Sequence, residues 1–252
     1  MGEIEVYEYE KMDLENAFVV TGFPTVGLVG TIASRFVVSS LRLRLLAAFL
    51  SDYFPPVSVI SNAEPLPPVR VYGGDKKCGP NGKCNQLLVI LSEFVPHFAT
   101  LRPLANKIIE WCKENNCETI VCIEGFNVGE KVEKVPLAGI GSTEEAKEML
   151  KKYGVELMQE GMVSGLSGIL LYEGRRRNFD VACLLAGTHA DYPDAKAAAR
   201  VLEVVNKMLP EIEIDPEPLY KQAEEIEKQI RAHLEKAKPT KPVYAEQPIM
   251  YG

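Results

Sequence analysis

Apolar positions in this chain follow two rhythms. Short continuous runs alternate with stripes spaced by three and four, which predicts strands alternating with helices. Residues 17–21 (AFVVT) form a continuous run that stops at Gly22, the pattern of a buried strand. Thr25 stands where it can cap a helix through Ser40, since Val26, Val29, Ala33, Phe36 and Val37 make one apolar face. Residues 43–50 predict a second strand. Pro55, Pro56, Pro65, Pro67 and Pro68 then punctuate an irregular or short-stranded region, before 69–72 (VRVY) alternates like a strand. Residues 86–92 (QLLVILS) predict a further buried strand, and 101–115 a helix that buries Leu104, Ile108 and Trp111. Residues 119–123 (TIVCI) predict a strand stopped by Glu124 and Gly125. Ser142 or Thr143 caps a helix ending near Gly154, 180–185 (DVACLL) is a strand, and Asp194 caps a helix through Met208 that Pro210 closes.

Such alternation implies an α/β fold with a mostly parallel, mixed sheet covered on both faces. The main α/β domain is placed at 1–209, followed by a linker and amphipathic helix at 210–237 and a flexible tail at 238–252. Pro216 and Pro218 stiffen the linker. In the helix 219–237, Leu219, Ala223, Ile226, Ile230 and Leu234 form a narrow stripe on an otherwise charged cylinder. That stripe packs either on its own domain or on a neighbouring subunit. The tail has prolines at 239, 242 and 248 and little periodicity, too little to offset its ordering entropy.

Composition narrows the partners. The chain has 28 basic and 35 acidic residues, a net charge of −7, which disfavours nucleic acid and anionic membranes. The one basic run, Arg175-Arg176-Arg177, reads as a solvated turn flanking a strand. The apolar-rich stretch 19–50 carries Arg35, Arg42 and Arg44, so no membrane span is expected. The acidic start, MGEIEVYEYEKMD, lacks the apolar region of a secretion signal, and Val6 breaks the myristoylation pattern. A cytoplasmic location follows. Cysteines 78, 84, 112, 117, 122 and 183 form no CxxC pair and no zinc-finger spacing, so no metal site is expected. Cys112, Cys122 and Cys183 read as core residues. Cys78 and Cys84 flank a turn and stay reduced in a mesophilic cytosol, whereas a hyperthermophile permits a disulfide.

Two loops invite a ligand reading. GFPTVGLVG, Gly22 to Gly30, follows a strand and opens a helix, where amide dipoles attract phosphate. It lacks the lysine of a P-loop, and no Gly stands at 25 to complete GxGxxG, so tight strand–helix packing is the better reading. The stretch Gly187 to Asp194 brings His189 near Asp191 and Asp194, a set able to do acid–base or metal chemistry. Asp194 is more simply a helix cap, and His97 and His233 do not converge on it. No GxSxG, HExxH or nucleophile signature is present. No catalytic residue and no cofactor is therefore assigned. The C-terminus is sharper: Met250, Tyr251 and the Gly252 carboxylate set an apolar anchor, an aromatic ring and a charge at fixed spacing.

Five pieces carry a family resemblance: GFPTVGLVG (22–30), SDYFPP (51–56), EGF (124–126), SGLSGILL (164–171) and LLAGTHADYPDAKAAARVLEVV (184–205). Their order through nearly all of 16–209, rather than any one piece, is specific. The sequence resembles the proteasome assembly chaperone superfamily, in particular its archaeal homologues. The resemblance implies a three-layer α/β/α sandwich related to nucleoside phosphorylases, a homo-oligomer and no catalysis. It also implies that Met250-Tyr251-Gly252 is a hydrophobic-tyrosine-any-residue (HbYX) motif. In that family the tail inserts between adjacent α subunits of the proteasome core particle. Met250 would be the apolar anchor, Tyr251 the aromatic wedge and Gly252 the carboxylate that pairs with a pocket lysine. The competing reading is an α/β small-molecule-binding protein or enzyme that uses the Gly22–Gly30 and His189–Asp194 loops at strand C-termini.

Overall fold

The computed structural model describes residues 3–74, 86–129, 135–188, 193–209, 212, 214–219 and 232. In chain order they form β1 (Glu5–Glu8), β2 (Ala17–Gly22), a 3-10 turn (Val26–Leu28), α1 (Val29–Leu41), β3 (Arg44–Leu50), β4 (Val59–Ser61), β5 (Glu64–Leu66) and β6 (Val69–Gly73). They continue as β7 (Leu87–Ser92), α2 (Phe98–Glu114), β8 (Cys117–Asn127), β9 (Leu137–Gly141), α3 (Glu144–Lys152), β10 (Glu156–Leu157), α4 (Gly165–Arg177), β11 (Asp180–Thr188) and α5 (Ala195–Met208).

One sheet holds nine strands in the order β1-β3-β6-β7-β2-β8-β11-β9-β10, and β4 pairs with β5 in a separate hairpin. The centre is parallel: β7, β2, β8 and β11 run the same way. Every residue of β2 and β7 is buried, which is why these strands read as unbroken apolar runs. The flanks are antiparallel at β6 against β7, β3 against β6, β1 against β3 and β9 against β11. Helices α1, α3 and α5 share one apolar cluster with one face of the sheet. Helices α2 and α4 share a second cluster with the other face. The result is the expected α/β/α sandwich.

Local chemistry fixes the helix starts. Asp194 Oδ1 accepts from the Ala197 N–H at 2.9 Å, and Thr143 Oγ1 accepts from the Ala146 N–H at 3.1 Å. Thr143 is thus the cap of α3, while the Ser142 hydroxyl bridges to the Phe179 carbonyl and the Val181 N–H at 2.8 Å each. His97 Nδ1 accepts from the Ala99 N–H at 3.3 Å, so α2 begins earlier than its apolar stripe indicates. Thr25 does not cap a continuous helix. It makes no side-chain cap bond, and Gly27 (φ 63°) and Leu28 (φ 52°) split off the short turn before α1.

The buried core continues past Leu209. Ile212, Ile214 and Leu219 join the α1–α5 cluster, and Asn206 holds the backbone of Ile214 through both its N–H and its carbonyl. Leu219, the first residue of the predicted C-terminal stripe, is fully buried on its own domain. Ala223, Ile226, Ile230 and Leu234 lie outside the described residues, as do Cys78, Cys84 and the tail.

Candidate functional site

The loops that close β2, β8 and β11 meet at the C-terminal ends of the parallel strands, the usual ligand position in an open α/β sheet. Two glycines of these loops lie in close contact with neighbouring chain. A Cβ on Gly27 would lie 2.3 Å from Thr188 Oγ1, and one on Gly125 would lie 2.0 Å from the Val26 carbonyl oxygen. The Asp194 N–H donates to the Gly27 carbonyl at 2.8 Å, so the two loops singled out in the sequence do come together. Thr188 Oγ1 donates to Asp194 Oδ2 at 2.8 Å, and Asp194 Oδ1 is the helix cap. Both carboxylate oxygens of Asp194 are therefore spent on structure. The glycines serve close packing rather than a phosphate cradle. His189, Asp191 and Tyr192 lie outside the described residues.

Beneath these loops sits a buried carboxyl that sequence reasoning passed over. Glu124 takes a hydrogen bond from the Ser167 hydroxyl of α4 at 2.5 Å. Burial raises its pKa to about 7, against which the Ser167 bond acts as a smaller pull downward. Thr25 Oγ1 is also buried close by and adds a smaller downward pull on Glu124. The unfolded chain releases this proton near pH 4.5 and the folded chain near 7. Folding is thus favoured by proton uptake in that window, and stability falls as pH rises through it. The loss above pH 7 is about 3 kcal/mol. Glu124→Gln keeps an acceptor for Ser167 and should remove this slope. Urea unfolding at pH 5 and pH 8 checks it, and equal slopes in parent and variant would refute the assignment.

Cys112, Cys117, Cys122 and Cys183 are buried free thiols. Burial pushes Cys122 up to about 12 and Cys112 and Cys183 well above the ordinary thiol value, so none of these three is a ready nucleophile at neutral pH. Among the described residues no group of His, Cys, Asp and Glu is arranged to hold a metal ion, and no helix is long and apolar enough to cross a membrane.

One arginine cluster escaped the sequence reading, and a second was placed wrongly by it. Arg70 and Glu93 are 1% and 2% exposed, and Arg70 Nη2 lies 2.5 Å from both Glu93 oxygens. Arg35 of α1 adds a bond to Glu93 at 2.8 Å. Burial is the largest single influence on Arg70 and would lower its pKa, but the Glu93 charge, the nearby Tyr72 and the hydrogen bonds to both together outweigh it and hold the guanidinium above its ordinary value. The second cluster corrects the reading of Arg175-Arg176-Arg177 as a turn beside a strand. These residues are the last turn of α4, where basic side chains suit the helix dipole. Arg176 and Arg177 both bond Glu173, whose side chain is 1% exposed, and Arg102 reaches it from α2. The Arg176 hydrogen bond is the main reason the Glu173 carboxyl lies below its usual range.

The profile of the PAC2 family matches residues 19–234. The chain belongs to the PAC2 family. An uncharacterized protein from Methanocaldococcus jannaschii is 34% identical over 224 residues, covering 89% of this chain and 88% of its own. The crystal structure of Pyrococcus furiosus PbaA, an archaeal homolog of proteasome-assembly chaperone, superposes with a TM-score of 0.81 at 33% identity, covering 93% of this chain and 97% of PbaA. Pyrococcus furiosus PbaB, an archaeal proteasome activator, matches with a TM-score of 0.76 at 24% identity, covering 92% of this chain and 99% of PbaB, and shares the fold. The PAC2 match stops before Met250, Tyr251 and Gly252, which lie outside the described residues.

Proposed function

We propose that this PAC2 protein is a non-enzymatic, proteasome-associated chaperone or adaptor. It docks on the α ring of the core particle through Met250-Tyr251-Gly252 and assists assembly or activation. The observation that carries this reading is the PbaA likeness, 33% identical over 93% of the chain, together with the chemistry of the C-terminus. The close packing of Gly27 against Thr188 and of Gly125 against Val26 gives these glycines a structural role and so weakens the phosphate-cradle reading of the Gly22–Gly30 loop. Several tails on a homo-oligomer would raise avidity through effective concentration, since each further tail binds intramolecularly.

The experiment is size-exclusion chromatography with light scattering on the full chain and on a chain lacking 250–252, each with and without purified α rings. The full chain is expected to run as an oligomer and to co-migrate with the rings. The truncated chain is expected to keep the oligomer and lose co-migration. Co-migration that survives truncation would overturn docking through the tail, a strict monomer would overturn the oligomer, and a full chain that does not co-migrate would overturn the proposal and favour the small-molecule reading.

A further inference from the structure

Cys112 and Cys117 take no part in docking through the tail, yet the end of α2 brings them together. Cys112 lies in the last turn of α2, and Cys117 is the first residue of β8. Between them Asn115 closes the helix by donating its N–H to the Trp111 carbonyl at 3.0 Å, and Asn116 takes a left-handed backbone (φ 51°). Such a reversal folds the next residue back over the last helical turn. Both cysteines accordingly belong to the apolar cluster that α2 and α4 share with the sheet, and their side chains share a hydrogen bond.

The pair differs from the other neighbouring thiols. Cys122 and Cys183 are register partners on parallel strands, but the hydrogen bonds of Cys122 go to Thr21 and Ser167. Cys112 is wholly buried, whereas Cys117 keeps 6% of its surface and follows exposed Asn116. A cavity of about 160 Å³ brings solvent to Trp111 and Asn115 at the same helix end. Burial first, and the hydrogen bond with Cys117 second, keep the proton on Cys112. Cys117 is therefore the sulfur that meets a small oxidant, with Cys112 in contact to resolve it.

We propose that Cys112 and Cys117 form a reversible, peroxide-driven disulfide that staples the end of α2 to the start of β8. Cys117 Sγ attacks one peroxide oxygen, the O–O bond breaks, and the departing hydroxide takes up the thiol proton as water. The Cys112 sulfur then attacks the resulting sulfenic acid. The S–S bond forms, the S–O bond breaks, and a second water leaves with the Cys112 proton. The two sulfurs together lose two electrons, and hydrogen peroxide gains them. Sulfurs held in contact react as one molecule, so the second step outruns capture of Cys117 by a thiol in solution. An external dithiol returns both thiols by exchange.

The test treats the folded, full-length protein with hydrogen peroxide, alkylates the remaining thiols and digests the chain without reductant. Cleavage after Glu110, Glu114 and Glu118 leaves Cys112 in 111–114 and Cys117 in 115–118. Mass spectrometry is expected to find these two peptides joined after peroxide and separate again after dithiothreitol. Cys117→Ser should abolish the joined peptide and leave Cys112 unlabelled by dimedone, a sulfenic-acid trap. Cys112→Ser should leave Cys117 as a sulfenic acid that dimedone captures. An unchanged melting temperature shows that each variant is folded. The proposal is overturned by peptides that stay separate, by a bond formed only at Cys122–Cys183 or Cys78–Cys84, or by dimedone on Cys112 in the Cys117→Ser protein.

Discussion

Glu93→Ala is expected to destabilise the protein by about 3–5 kcal/mol. The reason is not the worth of the ion pair itself. Arg70 is 1% exposed, and removing its carboxylate leaves a guanidinium in a place water reaches poorly. Arg35, 21% exposed, can turn its charge toward solvent, but Arg70 cannot. A second substitution separates the two ideas. Replacing the pair with apolar side chains, Glu93→Leu with Arg70→Met, removes both charges at once. Buried ion pairs are often neutral against such replacements, so the double variant should recover most of the loss. The coupling between the two positions should then be several times larger than for distant residues, which add within about 0.5 kcal/mol. Guanidinium unfolding of the parent, both single variants and the double variant checks this. A Glu93→Ala protein within about 1 kcal/mol of the parent would show that the cluster is better solvated than its geometry indicates.

How much of this was legible in the sequence depended on what each element packs against. Strands β2, β7, β8 and β11 announce themselves because both faces are buried, so their residues are apolar without alternation. Asp194 and Thr143 were readable as caps because capping is a local interaction. Helix α4 was not identified. Gly165, Gly168 and Gly174 weaken its propensity, and its buried Glu173 interrupts the apolar stripe. Strand β1 (EVYE) has only one paired edge and is largely exposed, so it shows no apolar run. Short strands β9 and β10 likewise lack a recognisable run.

The sites divide in the same way. The glycines of the 22–30 loop were visible, but not that Thr188 occupies the space beside Gly27. Contact between residues so far apart in the chain is set by the fold. Arg70 sits in VRVY, where alternation reads it as solvent-facing, whereas tertiary structure brings Glu93 and the β4–β5 hairpin over it. No local signal marks the pair. Glu124 follows a core strand and reads as a stop, yet β8 continues through Asn127 and carries the carboxyl inside. The tail is the opposite case: its reading rests on residue types alone, and Met250, Tyr251 and Gly252 lie outside the described residues.

That tail carries the second large effect. Its prolines at 239, 242 and 248 favour an extended chain, which limits the entropy lost when it is captured. Ile249 and Met250 set two apolar residues beside Tyr251 after the polar Glu246 and Gln247. Tyr251 offers a ring that buries a large area and a hydroxyl that still finds a partner. Loss of such an anchor costs about 2 kcal/mol for each engaged tail, roughly 30-fold in affinity. With several tails engaged the losses multiply, because each tail contributes to the same avidity. The most direct measurement is the affinity of purified proteasome α rings for the parent, for Tyr251→Ala and for a chain extended beyond Gly252. The account predicts that both altered proteins lose at least about 30-fold while melting temperature and oligomeric state stay unchanged. Parent-like affinity in both would contradict docking through the C-terminus.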